Sequence, residues 1–129
     1  MENEFTMSTF LNAAPQEIFE AWLSSEGHTA MTGSPAKVES GVGGTFTAWD
    51  GYISGKTLDL KPYTRLVQAW RTTEFPKGSP DSRVEIILET IDGGTKLTLL
   101  HSNIPEGQAD DYKKGWQEFY FDPMKEYFG

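Results

Sequence analysis

The sequence predicts an α+β fold in which a curved antiparallel sheet of about six to seven strands wraps around a long C-terminal helix. Short segments with alternating polar and apolar residues recur between turn residues through the middle of the chain, which is typical of an antiparallel meander. The last twenty or so residues instead show helical spacing. Because a sheet with one apolar face needs a cover, the C-terminal helix is the element that provides it.

The N-terminal part predicts one strand followed by two short helices. Residues 4–11 alternate in period two, as expected for a half-buried strand. Pro15 is a favourable first residue for a helix, and the apolar side of that helix consists of Ile18, Phe19, Trp22 and Leu23. Ser24 is a good N-cap for a second short helix that reaches about Met31.

The middle of the chain predicts an antiparallel meander between residues 37 and 102. Turn residues, among them the hairpin signal Asp50-Gly51, separate predicted strands at 45–49, 52–60, 65–73, 83–90 and 96–101. In the last of these, Leu97, Leu99 and His101 share a face, so the imidazole of His101 is expected to point toward the apolar side.

The C-terminal helix has an unusually aromatic apolar stripe. At 3.6 residues per turn the stripe comprises Tyr112, Trp116, Phe119, Tyr120, Pro123, Met124 and Tyr127. Aromatic residues and Met can fill an ordinary core, but they also suit the wall of a cavity. Pro123 should bend the helix locally, and Phe121 and Phe128 lie off the stripe, where they either contact another element or are exposed.

Composition limits the classes of function. The 129 residues include 19 acidic and 11 basic side chains, for a net charge of −8, which makes nucleic acid and anionic membranes poor partners. The absence of cysteine excludes disulfides and thiolate chemistry. We expect a single domain over residues 1–129, with no membrane insertion. The acidic N-terminus does not look like a secretory signal, so a cytoplasmic location is expected.

Familiar catalytic signatures do not occur in the sequence. It has no nucleophile elbow, no paired histidines at zinc-binding spacing and no phosphate-binding loop, and Gly41-Val42-Gly43-Gly44 is interpreted as a turn. The two histidines, His28 and His101, are not brought together by spacing, so we predict no metal and no cofactor.

The buried His101 needs a hydrogen-bond partner, for which Tyr112, Tyr120 or Gln68 could serve. The sequence leaves open whether it is structural, orients a ligand or transfers a proton. Side chains from the sheet interior and the helix stripe are the candidates for lining a cavity: Trp49, Gln68, Trp70, Leu99, His101, Tyr112, Trp116 and Tyr120.

Several motifs in a fixed order resemble a known family over essentially the whole chain. They are Ala14–Phe19, Gly43-Gly44, Asp50–Gly55, Leu60-Lys61-Pro62, Ala69-Trp70-Arg71, Asn103-Ile104-Pro105 and Gly115–Phe121. They are similar to the C-terminal-domain family of the activator of the 90-kDa heat-shock protein ATPase, within the START-like (SRPBCC) superfamily. The resemblance implies a helix-grip fold with a cavity between the sheet and the long helix.

Three functions follow from these observations as hypotheses. The first is a non-catalytic domain that binds a small hydrophobic or aromatic molecule in the cavity. The second is a co-chaperone-like interaction module that binds or stimulates the 90-kDa heat-shock chaperone, which an exposed aromatic patch would favour. The third is a cyclase- or hydrolase-type enzyme with His101 and a tyrosine as acid and base, although no paired catalytic groups are visible.

Overall fold

The computed structural model describes residues 3–129. The strands within this range are β1 (Phe5–Leu11), β2 (Lys37–Val38), β3 (Thr45–Ala48), β4 (Ile53–Lys61), β5 (Arg65–Thr72), β6 (Ser82–Ile91) and β7 (Gly94–Ser102). The helices are α1 (Pro15–Trp22), α2 (Ser25–Thr32), α3 (Ala109–Trp116) and α4 (Asp122–Phe128). A π-helical turn, Gln117–Phe121, joins α3 to α4 and makes one continuous C-terminal helix.

The strands form one antiparallel sheet in the order β1-β7-β6-β5-β4-β3-β2. A register shift between Thr57 and Asp59 marks a bulge in β4. Bulges increase local twist, which helps a sheet to curve around a helix. The predicted fold class is confirmed: an α+β helix-grip fold with a curved antiparallel sheet, a long C-terminal helix and two short helices after the first strand.

The first two helices begin and end as local sequence signals predict. Pro15 is the first residue of α1, and the Ser24 side chain accepts a hydrogen bond of 2.7 Å from the Gly27 N–H at the start of α2. Gly33 ends α2 in the left-handed conformation, with φ of 81°. Among the described residues, no helix is both long enough and apolar enough to cross a membrane.

The hairpin after β3 differs from the prediction by one residue. The strand ends at Ala48 rather than Trp49, and Ala48 pairs with Ile53 across the turn. Trp49 and Asp50 both adopt left-handed backbone, with φ of 52° and 58°. This backbone conformation is unusual for a bulky residue and costs about 1–3 kcal/mol, so the position of Trp49 in the loop is strained.

The C-terminal helix departs from the predicted stripe at the π-helical turn. There the Asp122 N–H bonds to the carbonyl oxygen of Gln117, five residues back, so one extra residue fits into the turn. The extra residue rotates the following face, which buries Phe121 and leaves Phe119 51% and Tyr127 52% exposed. The prediction that Phe119 and Tyr127 lie on the buried stripe is therefore wrong.

The interior between the sheet and the helices is largely filled. Leu97, Leu99 and His101 of β7 are all essentially inaccessible to solvent, as their shared face predicted. Leu66, Gln68, Val84, Ile86, Trp116, Tyr120 and Met124 complete the same core. The principal open space lies instead along the N-terminal half of the C-terminal helix.

Candidate functional site

A cleft of about 440 Å³ opens between the hairpin loop after β3, strand β5, and α3 with the π-helical turn that follows it. This volume lies within the roughly 300–1,000 Å³ typical of small-molecule sites. The lining, here called the aromatic cleft, consists of Trp49, Tyr52, Ile53, Trp70, Glu74, Gln108, Asp111, Tyr112, Gly115, Trp116, Phe119 and Tyr120. Seven of these twelve residues are aromatic.

The candidate residues from the sequence divide into two groups. Five line the aromatic cleft: Trp49, Trp70, Tyr112, Trp116 and Tyr120. Three lie in the core behind it and do not line it: Gln68, Leu99 and His101. The division arises because period-two counting identifies the inner face of the sheet but not how much of that face the helix covers.

Sequence reasoning missed the other lining residues. Gln108, Asp111 and Gly115 repeat at spacings of three and four next to the predicted stripe, and the same spacing leads on to Phe119, which was placed on the stripe but not among the cavity candidates. That spacing was a usable signal for them. The remaining missed residues come from the loops and strand ends and carry no such signal: Tyr52, Ile53 and Glu74.

The back wall of the cleft is a stack of rings packed on one another. Trp116 lies 5.7 Å from Trp70 and 4.6 Å from Tyr120, centroid to centroid. Tyr112 stands edge-on to Trp70 at 5.2 Å. Such pairs add about 0.5–1.5 kcal/mol each beyond the area they bury, so the wall is preorganised.

The mouth of the cleft is formed by exposed rings. Phe119 meets Trp49 edge-on at 5.2 Å, and this contact joins the hairpin loop to the C-terminal helix. Tyr52, on the same loop, is 37% exposed. The cleft is therefore open to solvent on the side of the loop, while its back wall is buried.

Polar side chains tie the loop after β5 to the start of α3. Gln108 accepts a hydrogen bond of 2.6 Å from the Tyr112 hydroxyl and donates one of 3.0 Å to the backbone carbonyl of Glu74. The Tyr52 hydroxyl donates to the Glu74 carboxylate. Burial, together with the hydrogen bond to Glu74, raises the pKa of Tyr52 to about 12, so this phenol is protonated at neutral pH.

His101 lies behind the cleft in a closed hydrogen-bond chain. The indole N–H of Trp116 donates to Nδ1 of His101 at 3.0 Å. Since an indole nitrogen can only donate, Nε2 of His101 must carry the proton, and it donates to Ser82 Oγ at 2.8 Å. Ser82 donates in turn to the Trp70 carbonyl at 2.7 Å. These partners differ from the three predicted ones.

The same burial keeps His101 neutral. Desolvation lowers its pKa to about 3, and protonation of Nδ1 would set two N–H groups against each other. A neutral imidazole with both nitrogens bonded inside the core cannot exchange protons with a ligand in the cleft. The structural alternative for His101 is the one that this geometry supports.

His28 takes part in a second, separate chain. Its Nδ1–H donates to the Trp22 carbonyl at 3.0 Å, so Nε2 accepts from the Tyr120 hydroxyl at 2.7 Å. Burial lowers the pKa of His28 and raises that of Tyr120. The two histidines thus have different partners. Within residues 3–129, no group of three or more His, Asp or Glu side chains could hold a metal ion.

Gln68 links α1 to the sheet. Its side-chain oxygen accepts from the Trp22 indole N–H at 3.2 Å, and its nitrogen donates to Thr57 Oγ1 at 3.2 Å. Both neighbours are buried, so Gln68 satisfies polar groups of the core. Leu99, fully buried on β7, packs in the same core.

Comparison with known proteins identifies the family. The family profile described as "Activator of Hsp90 ATPase homolog 1-like protein" matches residues 12–129. The chain belongs to this family. The resemblance predicted from the motifs is therefore confirmed.

Full-length relatives of this Hsp90-activator-homologue family are longer than the chain. The human activator of 90 kDa heat shock protein ATPase homolog 1 is 35% identical over 123 residues, which cover 94% of this chain and 35% of that protein. The homologue from Dictyostelium discoideum is 27% identical over 89% of this chain and 30% of its own length. The chain spans about a third of the length of these curated relatives.

Solved structures share the fold over nearly the whole chain. An HSP90 activator from Plasmodium falciparum superposes with a TM-score of 0.83 at 26% identity, covering 92% of this chain and 91% of that one. CalU16 from Micromonospora echinospora gives a TM-score of 0.80 at 25% identity, covering 98% of this chain and 76% of the other.

Proposed function

We propose that this single domain binds a small hydrophobic or aromatic ligand in the aromatic cleft, without catalysing a reaction on it. The supporting observation is the cleft itself, about 440 Å³ with a largely apolar lining that remains open on the side of the hairpin loop. A preformed, aromatic-walled concavity with a few polar groups at its edge is the usual form of a small-molecule site.

A binding role is favoured over acid–base catalysis by the histidines and tyrosines. Both imidazoles are fully bonded inside the core, and the raised pKa of Tyr52 and of Tyr112 keeps these phenols protonated. An acid–base mechanism needs a group whose pKa lies near the working pH and which reaches the ligand. The tyrosines that face the cleft do not meet the first condition.

The test is an amide and indole NMR titration of the domain with indole as the probe. We expect shifts at the indole N–H groups of Trp49 and Trp116. A Gly115→Leu variant should abolish them, because a Cβ at Gly115 has only Phe119 within 4 Å, at 3.7 Å, and a leucine there would occupy the cleft. Lys114→Leu, one position along the same helix and outside the lining, is the matched control and should bind normally.

The proposal would be wrong if high concentrations of indole and of other small compounds with apolar bodies, choline and 3,3-dimethylbutanol among them, all left these signals unmoved in the wild-type domain. It would also be wrong if Gly115→Leu and Lys114→Leu bound indole equally well. Thermal unfolding of both variants shows whether each is folded, and the helix itself gains about 1 kcal/mol when glycine is replaced.

A second candidate function is co-chaperone-like binding to a 90-kDa heat-shock protein in the cytoplasm. It is supported by the 35% identity to the human activator and by the exposed ring of Phe119 beside Trp49. We expect Phe119→Ser to weaken association with a purified 90-kDa chaperone and to reduce any stimulation of its ATPase. Tyr127→Ser is the control, since Tyr127 is exposed to the same degree on α4 and does not line the cleft. If the two substitutions weakened chaperone association equally, the mouth of the cleft would not be the chaperone-binding surface.

A further inference from the structure

We propose that the aromatic cleft selects a cationic ligand, an ammonium group carried on an apolar body. The inference rests on the proposed ligand-binding function and adds the charge of the ligand. It follows from the signs of the charges around the cleft and from the number of rings that face it.

Every charged side chain that lines the cleft is acidic. Within the described residues the lining contains Glu74 and Asp111, both exposed at the mouth, and no lysine, arginine or histidine. Asp111 comes from the first turn of α3, while Glu74 comes from the loop after β5. The two carboxylates therefore reach the opening from different elements, and the whole chain adds a net charge of −8.

The basic residues near the cleft do not neutralise it. Lys113 and Lys114 follow Asp111 on α3 but do not line the cleft. Arg71 is paired with Asp81 at 2.7 Å, and its guanidinium lies over the Phe75 ring at 5.3 Å. An anionic ligand would consequently meet two carboxylates and no compensating cation.

The aromatic rings are the second feature of the cleft that favours a cationic ligand. Aromatic faces carry negative electrostatic potential and attract cations within about 6 Å of the ring centroid, with Trp the most effective. Three tryptophans line this cleft, Trp49 at the mouth and Trp70 and Trp116 in the buried back wall. Quaternary ammonium groups are recognised elsewhere by such cages, because their methyl groups are apolar while the charge is diffuse. A neutral ligand would gain the apolar contacts but not the electrostatic ones.

The test uses three compounds of similar shape and different charge: choline, 3,3-dimethylbutanol and 3,3-dimethylbutanoate. We expect choline to bind tighter than the alcohol by about fivefold or more, and the carboxylate to bind weakest, as followed by the tryptophan indole N–H signals. Combining Glu74→Gln with Asp111→Asn should reduce the preference for choline. The matched control combines Glu89→Gln at the exposed end of β6 with Asp92→Asn in the turn that follows, which changes the net charge equally.

Nα-acetyl-lysine amide is an additional probe for the source of the cation. Tighter binding of choline than of this amide assigns the site to a free organic cation, whereas the reverse assigns it to a side chain of a partner protein; both support a cation site. Equal binding of choline and the alcohol, or an unchanged choline preference in the cleft variant, overturns the inference. If indole still binds in those cases, the proposed ligand-binding function stands. If neither indole nor any of these compounds shifts the indole signals, both proposals are wrong.

Discussion

Acidification should destabilise the domain through His101. The imidazole is fully buried between Trp116 and Ser82, and its pKa is lowered to about 3 in the folded protein. In the unfolded chain a histidine titrates near its ordinary value of about 6.5. Between these two values the unfolded state binds a proton that the folded state does not.

The sign and size of the change in stability with pH follow from the difference between these two pKa values. Because the pKa is depressed on folding, the contribution of His101 to stability is complete above about pH 6.5 and is lost as the pH falls toward 3. The slope approaches 1.4 kcal/mol per pH unit. From neutral pH the loss is about 2 kcal/mol at pH 5 and about 3 kcal/mol at pH 4, a substantial part of the 5–15 kcal/mol that is typical of a domain.

The assay is urea unfolding, followed by tryptophan fluorescence, of the wild-type domain and a His101→Gln variant between pH 7 and pH 4. Glutamine does not titrate, so the variant is less stable at neutral pH but should lose less stability on acidification. The carboxylates and His28 titrate in both proteins, and their contribution cancels in the difference. We expect the two curves of unfolding free energy to converge by about 3 kcal/mol at pH 4.

Parallel curves over this range would refute the reasoning, since they would mean that His101 takes up a proton in the folded state near its ordinary pKa. Should the variant fail to fold, nitrogen NMR of the wild-type imidazole provides the same test. The ring should remain the neutral Nε2–H tautomer at pH 5, with Nδ1 accepting from Trp116. A charged imidazolium at that pH would contradict the closed hydrogen-bond chain.

Two further substitution pairs test the packing on either side of the cleft by urea unfolding. Tyr120→Phe removes the hydrogen-bond donor to His28 and should lower the free energy of unfolding by about 1–3 kcal/mol. Tyr127→Phe on the surface should lower it by less than about 0.5 kcal/mol. Equal losses would contradict a buried Tyr120–His28 hydrogen bond. Gly55→Ala should cost about 1–3 kcal/mol or more, because its Cβ would collide with the backbone carbonyl oxygen of Ala69 and lie 2.6 Å from the Phe46 ring. Gly115→Ala has room and should be neutral or stabilising, and a large loss there would refute the open cleft wall.

Much of the fold could be predicted because it depends on local periodicity. Alternation along β7 placed Leu97, Leu99 and His101 on one buried face, and the Asp50-Gly51 turn set the hairpin between β3 and β4. Each of these signals is confined to a few neighbouring residues. A one-residue shift in the pairing of a strand would expose its whole apolar face, so the register of the strands is strongly specified.

The phase of the C-terminal helix could not be predicted in the same way. An ideal helical period across Gln117–Phe121 predicts Phe119 on the stripe, but the π-helical turn accommodates one extra residue there. Pro123, which lacks the N–H that would bond to the Phe119 carbonyl, was the one local sign of irregularity. It indicated that the helix is disturbed but not that the disturbance exchanges Phe119 for Phe121 at the buried face.

The cleft residues that were missed depend on contacts between distant segments, and the same contacts limit how a ligand can enter. Three buried hydrogen bonds fix the helices to the core: Trp22 to Gln68, Tyr120 to His28 and Trp116 to His101. Moving the C-terminal helix away would break the last two of these bonds and leave their groups unpaired, at a cost of about 1–3 kcal/mol per group. Opening an internal cavity beneath the helix is therefore expensive, whereas the mouth is already open. Differences in ligand or partner between members of this fold are consequently expected in the hairpin loop and the loop after β5, where substitutions leave the buried hydrogen bonds intact.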